Sequence, residues 1–132
     1  MAQDVIEEFR QNAGAVGDVM EGRPLLLLRH VGARTGTHRV CPLMYQAVEG
    51  GYAIFASKGG ARSNPHWFYN LRSRPDTEVE LGTDIIAVHA REAHGKEYER
   101  IWTEWKLDWP QFADYERKTS RDIIPVVILE RR

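Results

Sequence analysis

The chain has 132 residues, 42% hydrophobic and 10% aromatic, with 18 Lys and Arg against 19 Asp and Glu and a formal net charge of −1. A chain of this length buries roughly two-thirds of its unfolded surface, so a single domain over residues 1–132 is expected and two are excluded. No window of about 18 consecutive apolar residues exists, which excludes a membrane-spanning helix, and the lone Cys41 excludes an internal disulfide and a cysteine-based zinc site.

Asp4 is placed to cap a short helix whose Val5, Ile6 and Phe9 share a face and which ends near Asn12 to Gly14. The segment lacks a basic region followed by an apolar one, so no secretory leader is read and a cytoplasmic location is expected. Gly14 to Gly22 reads as loop and Leu25 to Val31 as a buried strand. Gly32-Ala33-Arg34-Thr35-Gly36 is a turn bracketed by glycines. Thr37 to Val48 reads as one long strand, with Val40, Pro42, Met44, Gln46 and Val48 on one face and Cys41, Leu43, Tyr45 and Ala47 on the other. Pro42 within it demands an edge or a bulge. Glu49-Gly50-Gly51 signals a hairpin into the strand Tyr52 to Ala56.

Ser57 to Pro65 breaks the pattern, and Asn64 as N-cap with Pro65 in the first helical position predicts a helix from Pro65 to Ser73, stopped by Pro75. Thr77 to Leu81 and Ile85 to Arg91 read as strands around the turn Gly82-Thr83-Asp84. Gly95 to Asp108 has helical spacing, Pro110 ends it, and a further helical turn holds Phe112 and Tyr115. Ile123 to Leu129 is the closing strand. Strands that follow one another as hairpins argue against a parallel dinucleotide fold and for a small antiparallel barrel with helices packed outside, of mainly β, α+β class.

The charges are unevenly placed. From Gly22 to Pro75 there are eight basic residues, Arg23, Arg29, Arg34, Arg39, Lys58, Arg62, Arg72 and Arg74, and one acid, Glu49, so this stretch carries +7 and the rest of the chain −8. Either an anionic ligand meets the middle of the chain or these cations pair across space with the acidic flanks. Two basic turns lie inside the stretch. Gly32 to Gly36, followed by His38 and Arg39, offers backbone N–H groups, a hydroxyl and two guanidiniums, a set suited to phosphate or carboxylate oxygens. Ser57-Lys58-Gly59-Gly60 leads into a helix N-terminus. Neither turn matches the phosphate-loop or dinucleotide glycine patterns, and each taken singly also reads as an ordinary hairpin turn or helix cap. His30, His38, His66, His89 and His94 have no metal-ligand spacing, so no metal site is expected, and no nucleophile-elbow motif accompanies Ser57. Trp102, Trp105 and Trp109 read as core, and Phe112 and Tyr115 as pocket-lining.

Gly32-x-Arg34-Thr35-Gly36-x-x-Arg39-x-x-Pro42-Leu43, Ala56-Ser57-Lys58-Gly59-Gly60, Asn64-Pro65-x-Trp67-x-x-Asn70-Leu71 and Tyr115-x-x-x-Thr119-x-Arg121-x-Ile123-x-Pro125-Val126 together resemble the deazaflavin-dependent nitroreductase and quinone reductase family. The resemblance runs over nearly the whole chain. It implies a split β-barrel of the flavin-mononucleotide-binding type and the use of reduced coenzyme F-420, an 8-hydroxy-5-deazaflavin with a phosphate and an oligoglutamate tail. By the same resemblance Arg34, Thr35, Gly36 and Arg39 hold the phosphate and tail. Pro42, Ala56, Ser57, Lys58 and Gly59 border the ring and ribityl chain, with Trp67 and Asn70 completing the wall. Tyr45, Phe112 and Tyr115 face the electron acceptor, a quinone or nitroaromatic, and Ser57 and Tyr115 are the candidate catalytic pair. The chain departs from the family pattern at Ala33, where a second basic residue is usual, and at Phe112, where relatives carry Tyr.

Three alternatives accompany this expectation: an oxidoreductase using FMN, a non-catalytic deazaflavin-binding protein, and a single-stranded nucleic-acid binder. Nucleic acid is disfavoured because the aromatic residues crowd into the acidic C-terminal half. Peripheral membrane contact through the first helix is disfavoured by five acids and one arginine between Met1 and Glu21. The chain is expected as a monomer or a homodimer.

Overall fold

Two-residue alternation and tight turns lead to a wholly antiparallel sheet. The computed structural model describes residues 2–17 and 22–132. It contains α1 (Ala2–Gln11), β1 (Leu25–Val31), β2 (His38–Met44), β3 (Gln46–Val48), β4 (Gly51–Phe55), a 3-10 turn (Lys58–Gly60), α2 (His66–Ser73), β5 (Asp76–Leu81), β6 (Asp84–Glu92), α3 (Gly95–Asp108), α4 (Gln111–Lys118) and β7 (Val126–Arg131). The strands form one sheet in the order β2-β1-β5-β6-β7-β4-β3. Its two edge strands, β2 and β3, are consecutive in the chain and joined through Tyr45, so the sheet curls until its edges meet at that residue, giving a split barrel.

Side-chain alternation sorts the core into three layers. Leu26 and Leu28 of β1, Tyr52 and Ile54 of β4, Val79, Val88, Ala90, Val127 and Leu129 point into the barrel, and Trp67, Phe68 and Leu71 of α2 close over them. The next residues along the same strands point outwards. Leu25 and Leu27 meet Ile6 and Phe9 of α1, and Ala53, Phe55, Val126 and Ile128 lie under Tyr98, Ile101, Trp102 and Trp105 of α3 and Phe112 of α4. Each large apolar side chain buried in this way contributes on the order of 2 kcal/mol. The outer α1 layer is also pinned by charge: Arg10 grips Glu80 through Nε (3.1 Å) and Nη2 (2.7 Å), and Glu80 also meets Arg29 at 3.4 Å. That pairing holds the Glu80 carboxyl below its ordinary range, chiefly through the hydrogen bond from Arg10.

Several expected boundaries move, each for a local reason. Helix α1 begins at Ala2, so Asp4 lies within its first turn instead of capping it. The middle of the expected glycine loop, residues 18–21, lies outside the described residues. The single strand expected over Thr37 to Val48 is two strands: the Tyr45 N–H turns to the Pro24 carbonyl at 3.1 Å, β2 pairs with β1, and β3 pairs with β4. Pro42 does lie in an edge strand, where its missing N–H breaks no interior ladder. Pro65, not Asn64, is the N-cap of α2. The last strand starts at Val126, three residues late, and Ile123 is left exposed.

Candidate functional site

Neighbouring strands run in opposite directions, so β1, β4 and β6 end at the rim where β2, β5 and β7 begin. The two basic turns therefore lie at the same end of the barrel, and α2, which follows the second turn in the chain, covers that end. The topology gives this rim an opening. Strand β3 pairs with β4 only as far as Ala53, so the end of β4, Ile54 and Phe55, has β7 on one side and a free edge on the other, and Ala56 and Ser57 continue from it.

The first turn is built by backbone and one amide. Gly36 N–H bonds to the Gly32 carbonyl (2.9 Å), Gly32 N–H to the Thr37 carbonyl (2.8 Å), and Thr37 N–H to the Thr35 hydroxyl (3.2 Å). Gly36 has φ +71°, a conformation that glycine adopts without strain. The Ala33 N–H bonds to Asn70 Oδ1 at 3.0 Å, and the other end of that amide, Nδ2, lies 2.9 Å from His30 Nδ1. Since the amide oxygen is taken by Ala33, the amide NH2 faces His30, which makes Nδ1 an acceptor and the ring neutral. Burial, then the nearby Arg39 and His66, lower the His30 pKa, in agreement with that neutral ring. Arg34 and Arg39 stand exposed on this frame.

The second turn is made differently. Lys58, Gly59 and Gly60 all have positive φ, +47°, +60° and +83°, after Ser57 in the right-handed region. A left-handed step after a right-handed one turns successive N–H groups to one side, the arrangement that cups anions. The Gly60 backbone presses on α4, where an added Cβ would lie 2.9 Å from the Tyr115 carbonyl oxygen. The Ser57 side chain is buried, with the residue 8% exposed, and among the described residues its hydroxyl has no hydrogen-bond partner. Arg121 holds the base of the turn, donating to the carbonyls of Ala56 (2.8 Å) and Ser57 (2.6 Å), to Asn64 Oδ1 (2.5 Å) and to the Thr119 hydroxyl (3.0 Å). This explains why Asn64 does not cap α2: its oxygen is committed to a guanidinium. Thr119 in turn donates to the Ala61 carbonyl at 2.7 Å.

Arg34, Thr35, Gly36, Arg39, Ala56, Ser57, Lys58, Gly59 and Asn70 thus gather at one rim, with Trp67 buried beneath them and Tyr115 of α4 against Gly60. The other three expected residues, Pro42, Phe112 and Tyr45, lie elsewhere. Pro42 shares the outward face of β2 with Val40 and Met44, which pack towards α1. Phe112 is buried in the outer aromatic layer, its ring 5.3 Å from Trp105 and 5.2 Å from Tyr115, so it supports Tyr115 instead of facing an acceptor itself. Tyr45 packs with Tyr52 on the barrel side of β4, whereas Tyr115 packs on the opposite side, so the expected trio does not form one wall. Asn70 spends its amide on the frame of the first turn.

The cations divide in the same way. Arg29 pairs with Glu78 and Glu80, and Arg72 with Glu92, while Arg34, Arg39, Lys58 and Arg62 form no ion pair among the described residues. Both readings of the charge map are therefore partly realised, and the unpaired cations include those of the two turns. A cavity of about 230 Å³ lies on the flank of α2 turned away from Asn70, over Phe68, Leu71 and Val127. The polar side chains at its rim, Arg72, Arg91 and His89, already have Glu92, Glu97 and Asp76 as partners. Sequence reasoning gave no role to His30, Thr119 or Arg121. The signal for the last two was present in the Tyr115-x-x-x-Thr119-x-Arg121 motif.

A split barrel with a basic, hydrogen-bond-rich rim is the arrangement that the family resemblance implies for a reductase using a flavin-like coenzyme. The comparisons with known proteins agree. The family model described as F420H(2)-dependent quinone reductase matches residues 2–131, and the chain belongs to that family. It is 36% identical over 128 residues to the F420H(2)-dependent quinone reductase Rv1261c of Mycobacterium tuberculosis, covering 94% of this chain and 85% of that one. Among solved structures it is similar to an F420-H2 dependent reductase, FDR-A, at 38% identity and TM-score 0.72, over 82% of this chain and 95% of the other. It is also similar to a chain described as a domain-swapped dimer, at 34% identity and TM-score 0.75, over 97% and 95%. The cofactor of the family is F-420, so FMN and the non-catalytic alternative give way to an F-420-dependent oxidoreductase. No described helix is long and apolar enough to cross a membrane.

Proposed function

We propose that the rim formed by the two turns is where this chain binds reduced coenzyme F-420 and passes its hydride to a quinone, with nitroaromatics as a second class of planar acceptor. The carrying observation is Ser57, only 8% exposed and with no hydrogen-bond partner for its hydroxyl among the described residues, just beyond the end of β4 and beside a turn of three positive-φ residues. The donor set fits a polyanionic ring coenzyme. Unpaired guanidiniums and an ammonium suit phosphate and carboxylate groups, and a turn of inward N–H groups suits ring or phosphate oxygens.

When bound, the reduced deazaflavin supplies a hydride from its C5 position. The protein's own work is orientation, charge stabilisation and exclusion of water. Arg34 and Arg39 hold the anionic end, with Thr35 and Gly36 shaping their turn. The backbone of Ala56, Ser57, Lys58 and Gly59 would border the ring. Ser57 Oγ would donate to the oxygen on which negative charge develops, and the Tyr115 hydroxyl would pass a proton to the reduced acceptor. The entire chain acts as one reductase domain and works in the cytoplasm. Its exposed Ile85, Leu107 and Ile123, together with the domain-swapped neighbour, support a homodimer, which light scattering tests.

Titration of the protein separately with F-420 and FMN, followed by turnover with a simple quinone, tests this function. F-420 binding with no comparable FMN binding is expected. Ser57→Ala lowers turnover by about tenfold or more with little change in coenzyme affinity. Arg39→Ala does the reverse, weakening binding most at low salt, where an exposed charge acts over the longest range. An equal loss of kcat and affinity in Ser57→Ala removes the role given to its hydroxyl.

A further inference from the structure

Two successive peptide groups in the second turn are aimed by a single side chain. Arg121 donates from Nη1 to the Ala56 carbonyl and from Nη2 to the Ser57 carbonyl, and the Ser57 carbonyl also accepts the Gly60 N–H at 2.9 Å. In a trans peptide the C=O and the following N–H point in opposite directions. Both peptides are trans, since the described residues contain no cis bond. Drawing the Ala56 carbonyl towards Arg121 therefore turns the Ser57 N–H away from it, and drawing the Ser57 carbonyl does the same for the Lys58 N–H. The Ala56 N–H, by contrast, is occupied by the Pro125 carbonyl of the neighbouring chain segment at 2.9 Å. Successive N–H groups along an extended strand face opposite edges, so the Ser57 N–H faces the edge that β3 has left free.

We propose that Arg121 is a positioning residue for the coenzyme: its guanidinium holds the Ala56 and Ser57 carbonyls back so that the Ser57 and Lys58 N–H groups point as a pair at an oxygen acceptor of bound F-420. It rests on the function proposed above, and adds a residue that touches neither coenzyme nor acceptor. The planar fork is the feature that matters. One guanidinium reaches two carbonyls, the Asn64 oxygen and the Thr119 hydroxyl at once, a set of directions that an ammonium cannot reproduce. Among the described residues no carboxylate pairs with Arg121, so its charge is not cancelled and adds to the positive field behind the two N–H groups. The cost of keeping that cation half-buried shows in its pKa, which desolvation lowers.

The test uses the full chain and oxidised F-420 as the probe. Affinity is read by fluorescence, and the backbone amides of Ser57, Lys58 and Gly59 are followed by ¹⁵N NMR in wild type, Arg121→Lys, Arg121→Met and Asn64→Ala. In wild type the Ser57 and Lys58 amides shift on binding. In Arg121→Lys, which keeps the charge and the stem, affinity falls about tenfold and the binding shifts of those two amides collapse. Asn64→Ala gives a smaller loss in the same direction. A merely structural role would lower the unfolding temperature but leave the amide shifts of the folded, liganded protein as in wild type. That result, or unchanged affinity in Arg121→Lys, overturns the positioning role while the function stands. If wild type binds F-420 and these amides do not move, the site assignment itself is overturned. Should Arg121→Met not fold, the Lys and Asn64 variants decide.

Discussion

The turns at 32–36 and 57–60 carry similar residues, glycine, hydroxyl and cation, and they solve opposite problems. The first is open: its arginines are exposed, the space around Gly36 is empty, and one amide, that of Asn70, ties it to α2. It presents charge on flexible side chains, which is enough to attract and hold an anionic tail whose position need not be exact. The second is closed: its backbone is pressed against α4, its carbonyls are gripped by Arg121, and three residues hold positive φ. It presents backbone donors whose directions are fixed before anything binds, which is what a hydride transfer needs of the group that places the ring. Charge can be delivered loosely, but direction has to be built.

That contrast is most easily broken at Gly60. An alanine there combines φ +83° with a Cβ 2.9 Å from the Tyr115 carbonyl, a backbone atom that cannot swing aside. Gly60→Ala is expected to cost about 3 kcal/mol, read as a shift of the denaturant midpoint, and to reduce F-420 affinity because the turn and α4 move apart. Asn70→Ala comes next. It leaves His30 Nδ1 without its partner at a buried site and the part-buried Ala33 N–H without its own, at a cost of about 2 kcal/mol. Its effect on coenzyme binding is expected to resemble that of Arg39→Ala in salt dependence, because the turn it releases contributes charge and not direction. A loss of turnover larger than the loss of affinity would show that the first turn also places the ring.

Local patterns predicted what local physics decides. The buried apolar run Leu25–Val31, the strand character from His38 to Met44, the edge position of Pro42, the hairpin at Gly50-Gly51 and helix α3 follow from periods and turn residues that act within a few positions. What escaped depends on partners far along the chain. The apolar alternation continues unbroken through Tyr45, so nothing local marks the change of partner from β1 to β4. Asn64 before Pro65 has the form of a cap and is diverted by Arg121, 57 residues away. Residues 123–125 continue a strand-like pattern, but the Pro125 carbonyl and the Arg121 clamp use that segment to hold β4, and the ladder begins only after it. The charge map found the cations of both turns. It could not tell Arg29 from Arg39, because the acids that neutralise Arg29 are on β5.

Gly36→Ala is the control for Gly60→Ala. Gly36 also has positive φ, +71°, but an added Cβ meets nothing within 4 Å, so only the intrinsic left-handed penalty remains, about 1 kcal/mol. Equal losses in the two variants would mean that backbone conformation alone, and not contact with α4, sets the stiffness of the second turn.

The smallest effect at neutral pH is expected at His30, and it grows on acidification. The ring is buried, accepts a hydrogen bond from Asn70, and is neutral in the fold, its pKa lowered by burial and then by Arg39 and His66. In the unfolded chain it returns to about 6.5. Below that pH the unfolded state takes up a proton that the folded state refuses, so stability falls as the pH drops from 7 towards 5. The lowered carboxyls Glu80 and Glu97 lose their contribution only below their ordinary 4.5, outside this window. Gln at position 30 has a side-chain oxygen able to accept from Asn70 and does not titrate. His30→Gln is therefore expected to unfold at nearly the wild-type midpoint at pH 7.5 and to lose less than wild type on going to pH 5.5. If both proteins lose the same amount, the acid sensitivity lies elsewhere and the neutral His30–Asn70–Ala33 chain does not underpin the first turn.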